Sequence, residues 1–297
     1  MKYRKIIPVI LIVVAVLSCK SKKINYIDYY HKMYAIDSIQ RVDKDTLATV
    51  RKYKKLFRKY PPAQNERMEE YEAYIKYADQ LHKKFGGIKS LDQLIAQSAP
   101  NWKYKREDRD FFKLYKKYGI DSATVEQKVL QWKRGLNKTL IDSFSIAFKR
   151  DQYNDRVGPT VVKDDKKNAE LLIWTFKNYG FPSKQKIGLY GNNEQSMHIG
   201  LLLNHMAGTE HYEYFKIKLL EYVRSGEYAP RDYIDMVDKY QYIHNLEPIY
   251  GVHSHYDKNF DAADSARIDR NRKAVGFPTL RQSSKMTKDF QIKMNNH

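Results

Sequence analysis

Only one cysteine, Cys19, occurs in the 297 residues, so no intrachain disulfide can form even in an oxidising compartment. Stability has to come from packing. Glycine is sparse, at 13 residues, and runs of β-branched residues are few, which argues against a sheet-built fold. Acidic residues number 35 against 54 Lys and Arg, leaving a formal charge of +19. Beyond residue 17 no segment is apolar enough for the roughly 20 residues that cross a bilayer; "IGLLLNHM" at 199–206 is far too short. The usual catalytic signatures are missing too. There is no Gly-x-Ser-x-Gly, phosphate loop, dinucleotide fingerprint or His-Glu-x-x-His.

What is present begins with an address. Lys2, Arg4 and Lys5 precede an apolar run from Ile6 to Leu17, the pattern of a translocation signal. The run ends in Val16-Leu17-Ser18-Cys19, which resembles a bacterial lipobox. The resemblance implies that residues 1–18 are a signal peptide and that Cys19 becomes a lipidated, palmitate-bearing amino terminus. Several acyl chains on one residue anchor stably where one would be marginal. A cysteine used in this way is no nucleophile. The alternative is a cleaved secretory signal with an incidental cysteine. Lys20, rather than Asp, follows Cys19, which favours the outer over the inner membrane, with the chain facing the periplasm rather than the cell surface. Residues 19–25 form a short polar tether.

Removing residues 1–18, with their three basic side chains, leaves 279 residues and a charge of +16. Such a surface suits anionic partners: lipid headgroups, an anionic envelope polymer or an acidic protein. Equally, the lysines simply solvate helix faces. Export makes nucleic acid an unsuitable partner. The 25 tyrosines recur mostly at helical spacing, so they read as core and boundary residues with hydroxyls reaching water.

Apolar residues step by three and four along most of the chain, predicting an all-α multi-helix bundle or irregular helical array. Pro61-Pro62, Gly86-Gly87, Gly119, Gly180 and Gly208 mark helix ends, and Pro230 opens a helix. Ser90 and Thr209 read as caps. One long helix is expected from Ser122 through Phe148, bent at Gly135. Another starts at Asp164 or Asp165, and a third at Asn192 or Asn193 runs through His205. A last helix covers Asp264–Val275. Only "KIGLYG" and "PIYGVHSHY" look extended. The expected organisation is a helical region over 26–147, a second helical domain over 148–281 and a polar tail over 282–297.

The second half carries a recognisable set of motifs: Asp151, Gln152 and Arg156 in "DQYNDR", then "NYGFPSKQKIG", "HIGLLLNHMAGTEHYEYFKIKLLEYVRSGEYAPRDYIDMVDK", "IYGVH" and "RIDRNRKAVGFP". Together these resemble the bacterial domain-of-unknown-function family 6624, common in lipoproteins and secreted proteins, over about half the chain. Where the family usually has Gln-His-Ala this chain has Asn204-His205-Met206, and where it usually has Tyr-Gly-Thr-Gln it has Tyr250-Gly251-Val252-His253. The resemblance implies a domain, not a reaction.

Three places bear candidate chemistry. On the expected helix, Glu194, His198 and His205 share one stripe, since each residue advances about 100°. His198 and His205 stand two turns apart, roughly 10 Å along the axis, too far for one zinc without a bend. His205 is therefore either a buried core imidazole or one wall of a pocket, and His211 lies past a break. His253 and His255 alternate on an extended segment and point the same way. Asp151 and Asp155 share a helix face, with Arg156 beside them. Asp151, Arg156, His205, Tyr250 and His253 are thus the candidate catalytic or ligand-binding residues, expected to converge in one groove. No cofactor is implied and no metal-ligand set is assigned. The leading expectation is a lipid-anchored binding or interaction module of the envelope. The alternative is a periplasmic hydrolase or other enzyme with a His/Asp site.

Overall fold

The computed structural model describes residues 24–63, 69–153, 158–253 and 259–295. The expected all-α class holds. The first half comprises α1 (Tyr26–Ser38), α2 (Thr46–Lys59), α3 (Glu69–Gln80), α4 (Ile88–Ser98), the single turn α5 (Trp102–Lys105), α6 (Arg109–Lys117) and α7 (Ser122–Arg134). There follow α8 (Lys138–Tyr153), α9 (Pro159–Tyr179), the single turn α10 (Lys184–Ile187), α11 (Ile199–His205), α12 (Tyr212–Ser225), α13 (Pro230–Ile243), α14 (Ala262–Ala274) and α15 (Leu280–Asn295). Carboxylate caps set several starts. Asp45, Asp108, Asp121 and Asp261 each accept an N–H from the first turn of α2, α6, α7 and α14. Among the described residues the only extended pairing is the isolated bridge between Tyr190 and Ser196, in and beside the expected "KIGLYG" segment.

Several expected helix bounds move, each for a local reason. The long helix through Gly135 is two helices, because Asn137 accepts the Leu140 N–H at 3.0 Å and restarts the chain as α8. Ser90 does not cap α4; it lies inside the helix, and its hydroxyl donates to the Phe85 carbonyl at 2.8 Å. Thr209 does not cap α12, which starts only at Tyr212 with His211 before it. The helix expected from Asp164 or Asp165 begins earlier, at Pro159. Proline at the first helical position loses no hydrogen bond there, so both aspartates sit inside α9, buried.

The helix expected from Asn192 starts only at Ile199. Residues 189–197 instead fold back on themselves, with Met197 N–H on the Leu189 carbonyl at 2.9 Å and Gly191 N–H on the Gln195 carbonyl at 2.8 Å. Glu194, His198 and His205 therefore share no helical stripe. The expected polar tail is α15, which folds back beside α14.

One apolar core runs from Tyr26 in α1 to Phe277 between α14 and α15. The 148 boundary falls within α8, and α1 packs on both α2 and α12. Tyrosines carry much of this core. Tyr26, Tyr29, Tyr30 and Tyr60 meet ring to ring at 5.3–6.4 Å between centroids. Not all their hydroxyls reach water, as the spacing suggested. Tyr115 bonds the Leu91 carbonyl at 2.8 Å and Tyr26 the Pro61 carbonyl at 3.0 Å. Among the described residues no helix is long and apolar enough to cross a membrane.

Candidate functional site

Two neighbouring features meet at α11. At its C-terminal end His205 Nδ1 lies 2.8 Å from Asp151 Oδ1, which projects from the last turn of α8. The second Asp151 oxygen accepts from the Gln152 amide. Asp151 is fully buried and His205 half-buried. In the neutral imidazole, a hydrogen bond from Nδ1 to Asp151 leaves the lone pair on Nε2. Asp165, buried on α9, completes the group: one ligating atom from each of Asp151, Asp165 and His205 lies within 4.8 Å of the others. Ligands on one zinc stand about 3–4 Å apart, so the trio could hold a divalent ion after a small closure. Arg150 ties the two carboxylate-bearing helices together beside it, donating to Asn168 Oδ1 through Nη2 at 2.6 Å and Nε at 3.1 Å.

α11 also borders two adjoining cavities, the smaller along residues 199–201 and Asn204 and the larger at Asn204. The smaller, about 550 Å3, lies between the Phe181–Leu189 segment, α11 and the start of α13, and His198 lines it. The larger, about 1470 Å3, runs on between α13, the 251–253 loop and α15. Asn204, Ala229, Asp232 and Asp235 line both and form their common wall. The charge changes sign along the way. The smaller cavity has Asp232, Asp235 and Glu227 against Lys184, whereas the larger adds Arg231, Lys239, Arg272, Arg281 and Lys288.

Asn204 organises the wall. Its amide donates to Asp235 Oδ2 at 2.7 Å and its oxygen accepts from Lys239 Nζ at 2.7 Å. Gly200 gives Asp232 room, since a Cβ there would stand 3.1 Å from Asp232 Oδ2. Asp232 is exposed within a recess that protein surrounds. That burial, with the charge of Asp235, pushes its carboxyl up to about 6 against the pull of Arg231 and Lys184. An unfolded-chain aspartate titrates near 4, so the folded chain holds this proton more tightly and stability falls as pH rises from about 4 to about 6. Asp232→Asn is expected to be neutral at pH 4 and to raise the melting temperature by about 2–4 °C at pH 7, the exposure of Asp232 limiting the gain. Thermal unfolding at both pH values measures it.

Of the five residues expected to converge, the structure brings Asp151 and His205 into contact. Arg156 lies outside the described residues, as do Asp155, His255 and Cys19. His253 lines the larger cavity, stacked on Tyr242 at 5.1 Å. Asp151, His205 and Tyr250 line neither cavity. Tyr250 packs its ring against Tyr233, burial pushes its phenol well above the usual range, and its N–H donates to Asp238 Oδ1 at 2.8 Å. His211 ends up half-exposed ahead of α12, 3.8 Å from Glu210.

Sequence reasoning missed Asp165, Tyr228, Asp232 and Asp235. The stripe Asp165, Asn168, Ala169, Leu172, Phe176 on one face of α9 is the signal that would have found the first. No family model, curated protein or solved structure matches the chain. The family resemblance therefore stands on its motif residues alone.

Proposed function

We propose that the protein is a lipid-anchored binding module of the bacterial envelope that takes a small ligand in the paired cavities beside α11. The observation that carries this reading is the shared wall of Asn204, Ala229, Asp232 and Asp235 between two cavities of opposite charge. Preformed concave sites with apolar walls and a few placed polar groups are what small-molecule binding needs. The anchor belongs to the same reading: the basic and apolar leader up to Cys19 supports acylation there, on the periplasmic side of the outer membrane.

The test uses the full chain in detergent, challenged with matched cationic, anionic and zwitterionic small molecules while melting temperature is followed. At least one class should raise it in the wild type and fail with Leu201→Trp, which fills the smaller cavity from a half-exposed position. Silence from every class would end the binding reading. Cys19→Ala should release the chain from membranes, and unchanged fractionation would remove the anchor.

A second reading is an enzyme or metal site at Asp151, Asp165 and His205. It is favoured by the 2.8 Å His205–Asp151 pair: as a hydrogen bond it leaves Nε2 available as a base, and in a metal site with Asp165 the ion would replace the proton between Nδ1 and Asp151. On that reading zinc or nickel shifts the melting temperature and a chelator reverses it.

A further inference from the structure

The smaller cavity has features that narrow the ligand's chemistry, an inference that rests on the binding reading above. On a chain of formal charge +19 it is an acidic recess. Asp232 and Asp235 stand one turn apart on α13 with their carboxyls on the same wall. Asp235 accepts from the Asn204 amide. Lys239 reaches the wall through the Asn204 oxygen. Lys184, in the lining, and Arg231, in the adjoining cavity, both draw on Asp232, and Glu227 and His198 complete the charged and titratable lining.

Independently, Tyr228 lines the same cavity and is 2 % exposed, and its hydroxyl is buried with no hydrogen-bond partner among the described residues. A buried hydroxyl left without a partner costs free energy, and it marks a place where a bound group would supply one. Burial, with Asp232 and Asp235 beside it, pushes this phenol well above its usual range, so it stays neutral and its oxygen can accept an N–H. The remaining walls are apolar, including Phe181, Ile187, Met197 and Leu201.

We propose that the smaller cavity binds an alkylammonium group, its N–H donors directed at Asp232, Asp235 and the Tyr228 hydroxyl and its aliphatic stem along the Phe181–Leu201 wall. A primary ammonium brings three donors and no acceptor, which matches the two carboxylates of the wall and the buried hydroxyl beside them. A carboxylate-headed ligand would meet two like charges and is rejected. The apolar walls take the methylene stem and exclude bare inorganic cations, which have nothing to bury there.

Titration of the detergent-solubilised full chain with hexylamine, hexanoate and hexanol by calorimetry at pH 7.5 tests this. Hexylamine should bind saturably at one site per chain, and the two controls should not. Asp232→Asn and Asp235→Asn should each weaken hexylamine by about tenfold, the scale of a lost charge-assisted hydrogen bond. Tyr228→Phe should weaken it about threefold while leaving the ligand-free melting temperature unchanged or higher, because it deletes a hydroxyl that lacks a partner. Lowering the pH to 5 should weaken binding, since Asp232 takes up a proton while hexylamine keeps its charge. Leu201→Trp, a substitution at a half-exposed position, should abolish binding and serves if a wall variant misfolds. Hexanoate binding as well as hexylamine, or hexylamine indifferent to Asp232→Asn and Leu201→Trp, overturns the proposal. If an anionic or zwitterionic compound alone binds, the ammonium assignment fails and the binding module survives.

Discussion

Asp238→Ala is expected to destabilise the chain by about 3–5 kcal/mol, the cost of breaking a buried charged network by removing one partner. Asp238 is fully buried on α13 and accepts three backbone N–H groups from the loop that follows: Ile249 at 2.9 Å and Tyr250 and Val252 at 2.8 Å. Arg272, buried on α14, clamps the other side of that loop through the Tyr250 carbonyl at 2.7 Å and the Gly251 carbonyl at 3.1 Å. It also reaches the Pro278 carbonyl and Ser283, and so holds the start of α15. Burial pushes the Asp238 carboxyl up and the Arg272 guanidinium down to about 10, while the loop N–H groups and Arg272 itself pull Asp238 back. At about 2–4 °C per kcal/mol the melting temperature should fall by roughly 10 °C. Arg272→Met should cost a similar amount. The double variant should lose less than the sum by about 1–3 kcal/mol, because both substitutions free the same loop. Full additivity in denaturant titrations would show that the two residues act separately.

Gly226→Ala is the second large effect, at about 3 kcal/mol. Gly226 closes α12 at φ +81°, where an alanine costs roughly 1–2 kcal/mol. Its Cβ would also stand 2.7 Å from the Tyr26 ring of α1. Tyr26 has little room to withdraw, packed on Tyr29, Tyr30 and Tyr60 with its hydroxyl on the Pro61 carbonyl. Overpacking adds about 1–3 kcal/mol. The contact joins the first helices to the second half, so unfolding should remain one transition at a lower denaturant midpoint. Trp102 and Trp132 report on the first half and Trp174 on the second. Separate midpoints for the two halves would mean that the shared core does not couple them.

The helix stops were legible because they are local. Pro61, Gly180 and Pro230 act through their own backbone conformations, and the helices end or begin beside them. The misplaced starts had non-local or competing causes. At 189–197 backbone bonds across a tight return outweighed the apolar spacing that suggested a helix from Asn192. His198 and His205 consequently lie at the two ends of a seven-residue helix, one on the smaller cavity and one against Asp151.

The amino-acid sequence by itself determined the all-α class, since the three-and-four spacing of apolar residues requires helices that share a core. It also singled out Asp151 and His205, at matched motif positions, as candidate site residues. Only the tertiary structure decided that these two, 54 residues apart, meet at 2.8 Å, that Asp165 joins them from α9, and that His253 lines a cavity they do not. Only it decided the charge of the smaller recess. Net charge counts every side chain, most of them in water, whereas a cavity's sign depends on the few that packing turns inward. Here the ones turned in include Asp232 and Asp235, on a strongly basic chain.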